Sequence, residues 1–100
     1  MVITAGASEA ILFTMMAIAD PGDELIVPEP FYANYNGFAT TAGVKVIPVT
    51  SYIDENFALP PISKLEKLVG PKTRGIMICN PNNPTGYLYS EDEIRTLGEI

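Results

Sequence analysis

The residues best suited to chemistry in this sequence form a polar loop, Asn80-Pro81-Asn82-Asn83-Pro84-Thr85-Gly86. It follows an apolar run, Ile76 to Cys79, that is typical of a strand, and α/β folds bind ligands at the carboxyl ends of strands. The asparagine amides can donate and accept hydrogen bonds, and a cis peptide before Pro84 would help to fix them against a ligand. Asn, Pro and Gly are also common turn residues, so composition alone favours a simple turn and a ligand site about equally.

A second candidate is the small-residue turn Ala5-Gly6-Ala7-Ser8, which lies between a strand-like run and a helix-like one. The free N–H groups and the dipole of a helix N-terminus can bind a phosphate, and small residues allow close approach. However, Ser8 is also a good N-cap residue and Glu9 suits a first helical turn, as any strand-to-helix connection requires. The turn is therefore weak evidence when taken alone.

Tyr32 is a third candidate, because it follows Pro28-Glu29-Pro30-Phe31 at the end of another strand-like run. Its ring could lie against a planar ligand. The alternative is packing in the core or at the surface, and on residue type alone packing is the interpretation that we favour for each of the aromatic residues Tyr32, Tyr35, Phe38 and Tyr87.

Other notable residues are better explained by structure than by catalysis. The acidic groups at 20–24 and 91–93 suit a turn and a helix start rather than an acid–base pair. Met15 and Met16 are predicted to fill the core, and Cys79 to be a small buried residue.

The composition narrows the possible functions. Among the 100 residues there is no histidine and one cysteine, which excludes a disulfide framework, a histidine-based metal site and a His-dependent triad within them. The net charge is -6 without a basic cluster, so nucleic acid is not an expected partner. The longest apolar stretch is shorter than the roughly 20 residues of a membrane span, and the N-terminus lacks a signal peptide's basic start. We expect a cytoplasmic protein that has no membrane partner.

Alternating strands and helices must position the three candidates. Strands are predicted at Met1–Thr4, Glu24–Pro28, Val44–Val49 and Arg74–Cys79. Helices are predicted from Ser8 to Asp20, from about Tyr32 to Thr41, after Pro61, and from the capping box Ser90–Glu93 onward. The first helix is apolar nearly all round, which predicts that it is buried. Units of about 25 residues imply βαβ crossovers, and hence an α/β class with a mainly parallel sheet, flanking helices and no internal domain boundary.

Taken in order, these segments resemble the class I/II aminotransferases, which depend on pyridoxal 5'-phosphate and have the fold-type I architecture. The matching stretches cover essentially the whole sequence: Ile3 to Ala10, Asp20 to Glu24, Val27 to Tyr32, and Asn80 to Gly86. The resemblance implies that Gly6, Ala7 and Ser8 bind the cofactor phosphate. It also implies that Tyr32, where the family often has Trp, stacks on the pyridine ring, and that Asn83 bonds the ring's phenolic oxygen. Members of the family tend to have cis peptides before the prolines equivalent to Pro30 and Pro84.

The resemblance also implies that parts of the site are missing. The family's Schiff-base lysine lies in a Ser-x-x-Lys context, which none of the four lysines shares: Lys45, Lys64, Lys67 and Lys72. The aspartate that pairs with the pyridine nitrogen and the arginine that binds the substrate carboxylate belong to later segments of the family. We therefore expect residues 1–100 to be an excised part of the large, cofactor-binding domain, inactive alone and with gaps in the sheet. The full-length protein is expected to be a homodimer that acts on amino acid and 2-keto acid substrates.

Three other interpretations remain open at this point. A carbon–sulfur lyase of the same fold would share the cofactor pocket, and only the absent substrate-binding residues would distinguish it. A transcription regulator with an aminotransferase-like effector domain would need a DNA-binding region upstream. A non-catalytic module that merely holds a phosphate ligand fits the isolated chain better than it fits the parent protein.

Overall fold

The computed structural model describes all residues from Met1 to Ile100, and its centre is a three-stranded parallel sheet. Strand β1 (Glu24–Glu29) lies between β2 (Lys45–Thr50) and β3 (Thr73–Ile76), and pairs in parallel with both. Its Leu-Ile-Val-Pro run is buried on both faces, as expected for the middle strand of a parallel sheet. Strands β2 and β3 are the two edge strands of the sheet.

Helices cover both faces of the sheet and produce two apolar cores. Helices α1 (Ala7–Ile18) and α2 (Asn34–Ala42) cover one face, and α3 (Ile62–Leu68) and α4 (Glu91–Gly98) cover the other. A short 3-10 turn, Ile53–Glu55, lies between β2 and α3. Alternate residues of β1 serve the two cores, since Leu25 and Val27 face α1 and α2 whereas Ile26 faces Leu65 of α3. The α/β class with a parallel sheet and flanking helices is confirmed.

Two predicted strands differ from the structure. Residues 1–4 belong to no strand and the first three are exposed, because no other strand lies beside them to complete a ladder. Strand β3 was predicted to reach Cys79, but it ends at Ile76, with one further bond from the Met77 amide to the Ile26 carbonyl at 2.9 Å. The next bond of that parallel ladder would need an N–H at Pro28, which proline lacks, so pairing stops there.

The first helix also differs from its prediction. Its N-cap is Gly6 rather than Ser8, since the chain turns at Gly6 with φ +98°, a backbone conformation that glycine adopts readily. Only Met15 of this helix is buried, and Met16, predicted to be in the core, is 61% exposed. The helix is therefore not enclosed, because no element of the structure covers its outer side.

The remaining elements lie close to their predicted positions. The second helix begins at Asn34, two residues later than expected, and β2 is displaced by one residue. The helix after Pro61 and the capping box at Ser90 are confirmed. The last helix spans Glu91–Gly98. The gaps expected in the sheet are absent between the three strands, which are direct neighbours.

Candidate functional site

The three candidate segments lie at the carboxyl-terminal edge of the sheet, where its parallel strands end. The segment with Tyr32 follows β1 and the asparagine loop (residues 80–86) follows β3, so both leave from the carboxyl ends of adjacent parallel strands. Helix α1 ends just before β1 begins and packs on the sheet, so it runs back along β1 and its N-terminus points to that edge. The lengths agree, because 12 helical residues and six strand residues each span about 18–20 Å.

The N-terminus of α1 has backbone donors that the chain leaves unused. No side chain caps the helix, and the amides of Ala7 and Ser8 donate to no acceptor, so the first bond at this end runs from Ala10 N to Gly6 O at 3.2 Å. The turn is exposed, and a Cβ atom at Gly6 would meet nothing within 4 Å. The Glu9 carboxylate accepts a bond from Ala5 N at 3.2 Å. Open amides at a helix start suit a phosphate group.

Tyr32 is held by its neighbours but remains accessible. Its ring makes a T-shaped contact with Tyr35, with centroids 5.6 Å apart, and its hydroxyl accepts a bond from Asn34 Nδ2 at 2.7 Å. Tyr32 is 39% exposed, whereas Tyr35 is buried. Burial, followed by the neighbouring Cys79 thiol, raises the pKa of Tyr35 to about 12. The structure thus separates a packing tyrosine from one whose ring is open to a ligand.

The other aromatic candidates have structural roles. Phe38 packs against the core beneath α1 and α2, as predicted from its residue type. The Tyr87 hydroxyl donates to both Glu93 carboxylate oxygens, at 3.0 and 3.1 Å. Cys79 is half-buried rather than buried, and its thiol donates to the Pro81 carbonyl at 3.2 Å.

The three asparagines of the asparagine loop are not equivalent. The Asn80 side-chain oxygen accepts a bond from Tyr89 N at 3.0 Å, which ties the start of the loop to the segment that follows it. The Asn82 side-chain nitrogen donates to Thr85 Oγ1 at 2.7 Å and to the Pro30 carbonyl at 3.2 Å. The Asn83 side chain is exposed and has no partner within the chain. Only Asn83 therefore retains a complete set of donors and acceptors for a ligand.

The peptide bonds before Pro30 and Pro84 are both cis, as the resemblance implied. A third cis peptide, Asn80–Pro81, was not anticipated, although its X-Pro sequence was the available signal.

The Glu93 carboxylate joins three segments of the chain, and the sequence predicts only part of this role. Glu93 accepts bonds from Ser90 N at 2.8 Å, Leu59 N at 3.2 Å and the Tyr87 hydroxyl. Burial raises the pKa of Glu93, but the hydrogen bonds from Ser90, Leu59 and Tyr87 outweigh it and hold the pKa below its ordinary value. The capping-box pattern signalled the Ser90 bond, whereas nothing local in the sequence signalled the other two.

None of the four lysines belongs to one of the three candidate segments. Lys45 is the first residue of β2 and Lys72 precedes β3, so both are at the amino ends of strands. Lys64 and Lys67 are on α3, where the Lys64 ammonium is 5.4 Å from the centroid of the Tyr52 ring. No group of three or more His, Cys, Asp or Glu side chains could hold a metal ion. The acidic turn is structural, as predicted, since the Asp23 carboxylate accepts bonds from Asp20 N and from Arg74 Nε at 2.9 and 2.8 Å.

The chain belongs to the family "Aminotransferase class I and II", whose sequence profile matches residues 1–100. It is similar to an aspartate/prephenate aminotransferase of Nitrosomonas europaea, with 33% identity over 98 residues, or 98% of this chain and 24% of that protein. The family is one of enzymes. The chain spans about a quarter of the length of the relatives that it matches.

Solved structures show the same fold. An aspartate aminotransferase from Thermotoga maritima matches with a TM-score of 0.91 and 38% identity over 96% of this chain and 25% of that one. An alanine aminotransferase from Pyrococcus furiosus matches with a TM-score of 0.85 and 35% identity over 94% of this chain and 24% of that one. The architecture is thus that of a fold-type I fragment.

None of the helices is both long enough and apolar enough to cross a bilayer.

Proposed function

We propose that residues 1–100 are part of the large domain of a pyridoxal 5'-phosphate-dependent aminotransferase, which transfers an amino group between an amino acid and a 2-keto acid. The observation that carries the proposal is a set of unused hydrogen-bonding groups at one edge of the sheet. The amides of Ala7 and Ser8 and the side chain of Asn83 have no partner within the chain. The first amides of a helix have no partner within the helix, and a polar ligand would satisfy these groups.

The turn at Gly6 would bind the phosphate of the cofactor. The amides of Ala7 and Ser8 can donate to phosphate oxygens, with the Ser8 hydroxyl as a further donor. Helix α1 has 12 residues, long enough for its dipole to favour an anion at this end. The open space around Gly6 allows close approach.

Tyr32 and Asn83 would hold and orient the ring of the cofactor. The accessible ring of Tyr32 can stack on a pyridine ring, and the T-shaped contact with Tyr35 fixes its direction. The Asn83 amide can donate to the phenolic oxygen and thereby stabilise its deprotonated form. When bound, the cofactor supplies an electron sink for the amino acid carbanion, and these residues keep that sink in place.

These residues do not supply a base or a covalent anchor. None of the four lysines belongs to the asparagine loop, to the segment with Tyr32 or to the N-terminus of α1. We infer that the anchoring lysine, the aspartate facing the pyridine nitrogen and the substrate-binding arginine come from other parts of the protein. Residues 1–100 alone are therefore expected to be inactive.

We also propose that the full-length protein is a cytoplasmic homodimer. Support comes from the free Cys79 thiol, which suits a reducing compartment, and from apolar side chains on the outer side of α1. Phe13 and Met16 are 46% and 61% exposed there, and burial in a larger assembly would remove them from water.

The phosphate role can be tested by substituting proline at the first position of α1. Ala7→Pro removes one amide donor, while proline at this position is compatible with a helix. In the full-length protein, we expect the Kd for pyridoxal phosphate to rise about tenfold, since a charge-assisted hydrogen bond is lost. The Kd for pyridoxal, which lacks the phosphate, should not change. Both constants are measured by absorption titration, together with conversion of an amino acid to its keto acid.

Glu91→Pro is the matched control, because Glu91 is the first residue of α4 and lies away from the proposed site. It should leave both dissociation constants within about twofold of the wild type. Wild-type protein that binds no pyridoxal phosphate, or an Ala7→Pro protein that binds it normally, would contradict the proposal.

A further inference from the structure

The side-chain nitrogen of Asn82 links the segment that follows β1 to the asparagine loop that follows β3. Asn82 Nδ2 uses one hydrogen for Thr85 Oγ1 at 2.7 Å, within the asparagine loop, and the other for the Pro30 carbonyl at 3.2 Å, after β1. Pro30 and Asn82 are 52 residues apart in the sequence. No other side-chain hydrogen bond joins the asparagine loop to the segment after β1.

The backbone of the asparagine loop reinforces this position. The Asn82 amide donates to the Tyr87 carbonyl at 2.8 Å, and the Gly86 amide donates to the Asn82 carbonyl at 2.9 Å. Asn82 is therefore held through both its backbone and its side chain. Asn83 is the next residue, so the direction of its side chain depends on a neighbour that has little conformational freedom.

We propose that Asn82 is a positioning residue that sets the placement of Asn83 relative to Tyr32. Two residues beyond Pro30, Tyr32 presents its ring at the same edge of the sheet. If one ligand ring is to be stacked by Tyr32 and bonded by Asn83, the two segments must keep a constant separation. This inference rests on the proposed function, because it concerns how the cofactor ring is held.

The test compares two substitutions that add the same charge two residues apart. Asn82→Asp removes both donors, whereas Asn80→Asp keeps an oxygen that can accept the bond from Tyr89 N. The readout is the pH midpoint at which the absorption band of bound pyridoxal phosphate changes, measured in the full-length protein with Asn83→Ala as a reference. Removing the donor to the phenolic oxygen should raise this midpoint by about 0.5–1 pH unit.

Asn82→Asp is expected to raise the midpoint in the same direction as Asn83→Ala and to raise the Kd about tenfold, while Asn80→Asp leaves both near the wild type. An unchanged midpoint in Asn82→Asp, or equal shifts in the two Asp variants, would overturn the positioning role. A wild-type protein without bound cofactor, or an Asn83→Ala protein with a normal spectrum, would overturn the proposed function as well.

If Asn82→Asp fails to fold, an uncharged pair of variants decides the question. Thr85→Val removes the oxygen that the Asn82 amide bonds, and Thr85→Ser retains it. The midpoint should rise in Thr85→Val and stay at the wild-type value in Thr85→Ser. Equal midpoints in the two variants would refute the proposal.

Discussion

Asn83 differs from Asn80 and Asn82 of the same loop, because its side chain has no hydrogen-bond partner within the chain. The pattern Asn80 to Gly86 identified the loop, and its place after a strand identified the edge of the sheet. It did not reveal that Asn80 and Asn82 are engaged by Tyr89 and Pro30, because those partners come from other parts of the chain. The freedom of Asn83 is visible only when the tertiary contacts of its neighbours are known.

Asp23 should make stability depend on pH. The hydrogen bond from Arg74, followed by the bond from Asp20 N, lowers the pKa of Asp23 from 3.8. A carboxylate with a lowered pKa in the folded state stabilises the protein above its unfolded pKa, and this contribution is lost as the pH falls through the folded value. Asp23→Asn should therefore lower the Tm at pH 7, and the difference from the wild type should shrink below about pH 4.

The comparison is made by thermal unfolding of the full-length protein between pH 3 and pH 7. Asp54→Asn is the control, since it removes the same charge from an exposed residue without an ion pair. A difference between Asp23→Asn and wild type that stays constant down to pH 3 would argue against the Asp23–Arg74 interaction.

Among the elements, local patterns predicted the existence of the helices and strands better than their ends. The capping box placed the start of α4 correctly, because its bonds lie within four residues. Strand limits depend on partners elsewhere, so Met1–Thr4 remains unpaired and β3 stops early. The order β2-β1-β3 likewise follows from crossovers that have no local signature.

Helix α4 offers a test of how one side chain connects elements. Ser90→Ala removes only the bond from Glu93 N to Ser90 Oγ and should lower the free energy of unfolding by about 1 kcal/mol. Glu93→Ala keeps that bond, because its donor is the backbone amide, but it removes the acceptor for Ser90 N, Leu59 N and the Tyr87 hydroxyl, so a loss of about 2–3 kcal/mol is expected. Urea denaturation of the full-length protein at pH 7 measures both values. Equal losses in the two variants would show that Glu93 acts only as a helix cap.

At the scale of the whole molecule, residues 1–100 expose more surface than is usual for a monomer of this mass. The accessible area is 6252 Å², whereas a monomer of 10.8 kDa typically exposes about 5,500 Å². Apolar grooves of about 440 and 390 Å³ flank β3 on its two faces, and both are lined by Gly75, Ile76 and Ile78. An open edge strand with apolar flanks promotes association.

Residues 1–100 expressed alone should therefore fail to unfold cooperatively as a monomer. We expect a broad urea transition, binding of a hydrophobic fluorescent dye, and association in sedimentation velocity. The full-length protein, measured in parallel, should give a sharp transition. A single cooperative transition of monomeric 1–100 would show that the two small cores are sufficient.

Pro28 has a consequence for the shape of the proposed site. Because Pro28 has no N–H, one hydrogen bond is missing between β1 and β3. The chain after Met77 is therefore free to leave the plane of the sheet. This early departure lets the following segment reach back to Pro30 through Asn82. Pro28, which is buried near the end of the central strand, thus shortens the pairing between two strands and lets the asparagine loop reach the segment after β1.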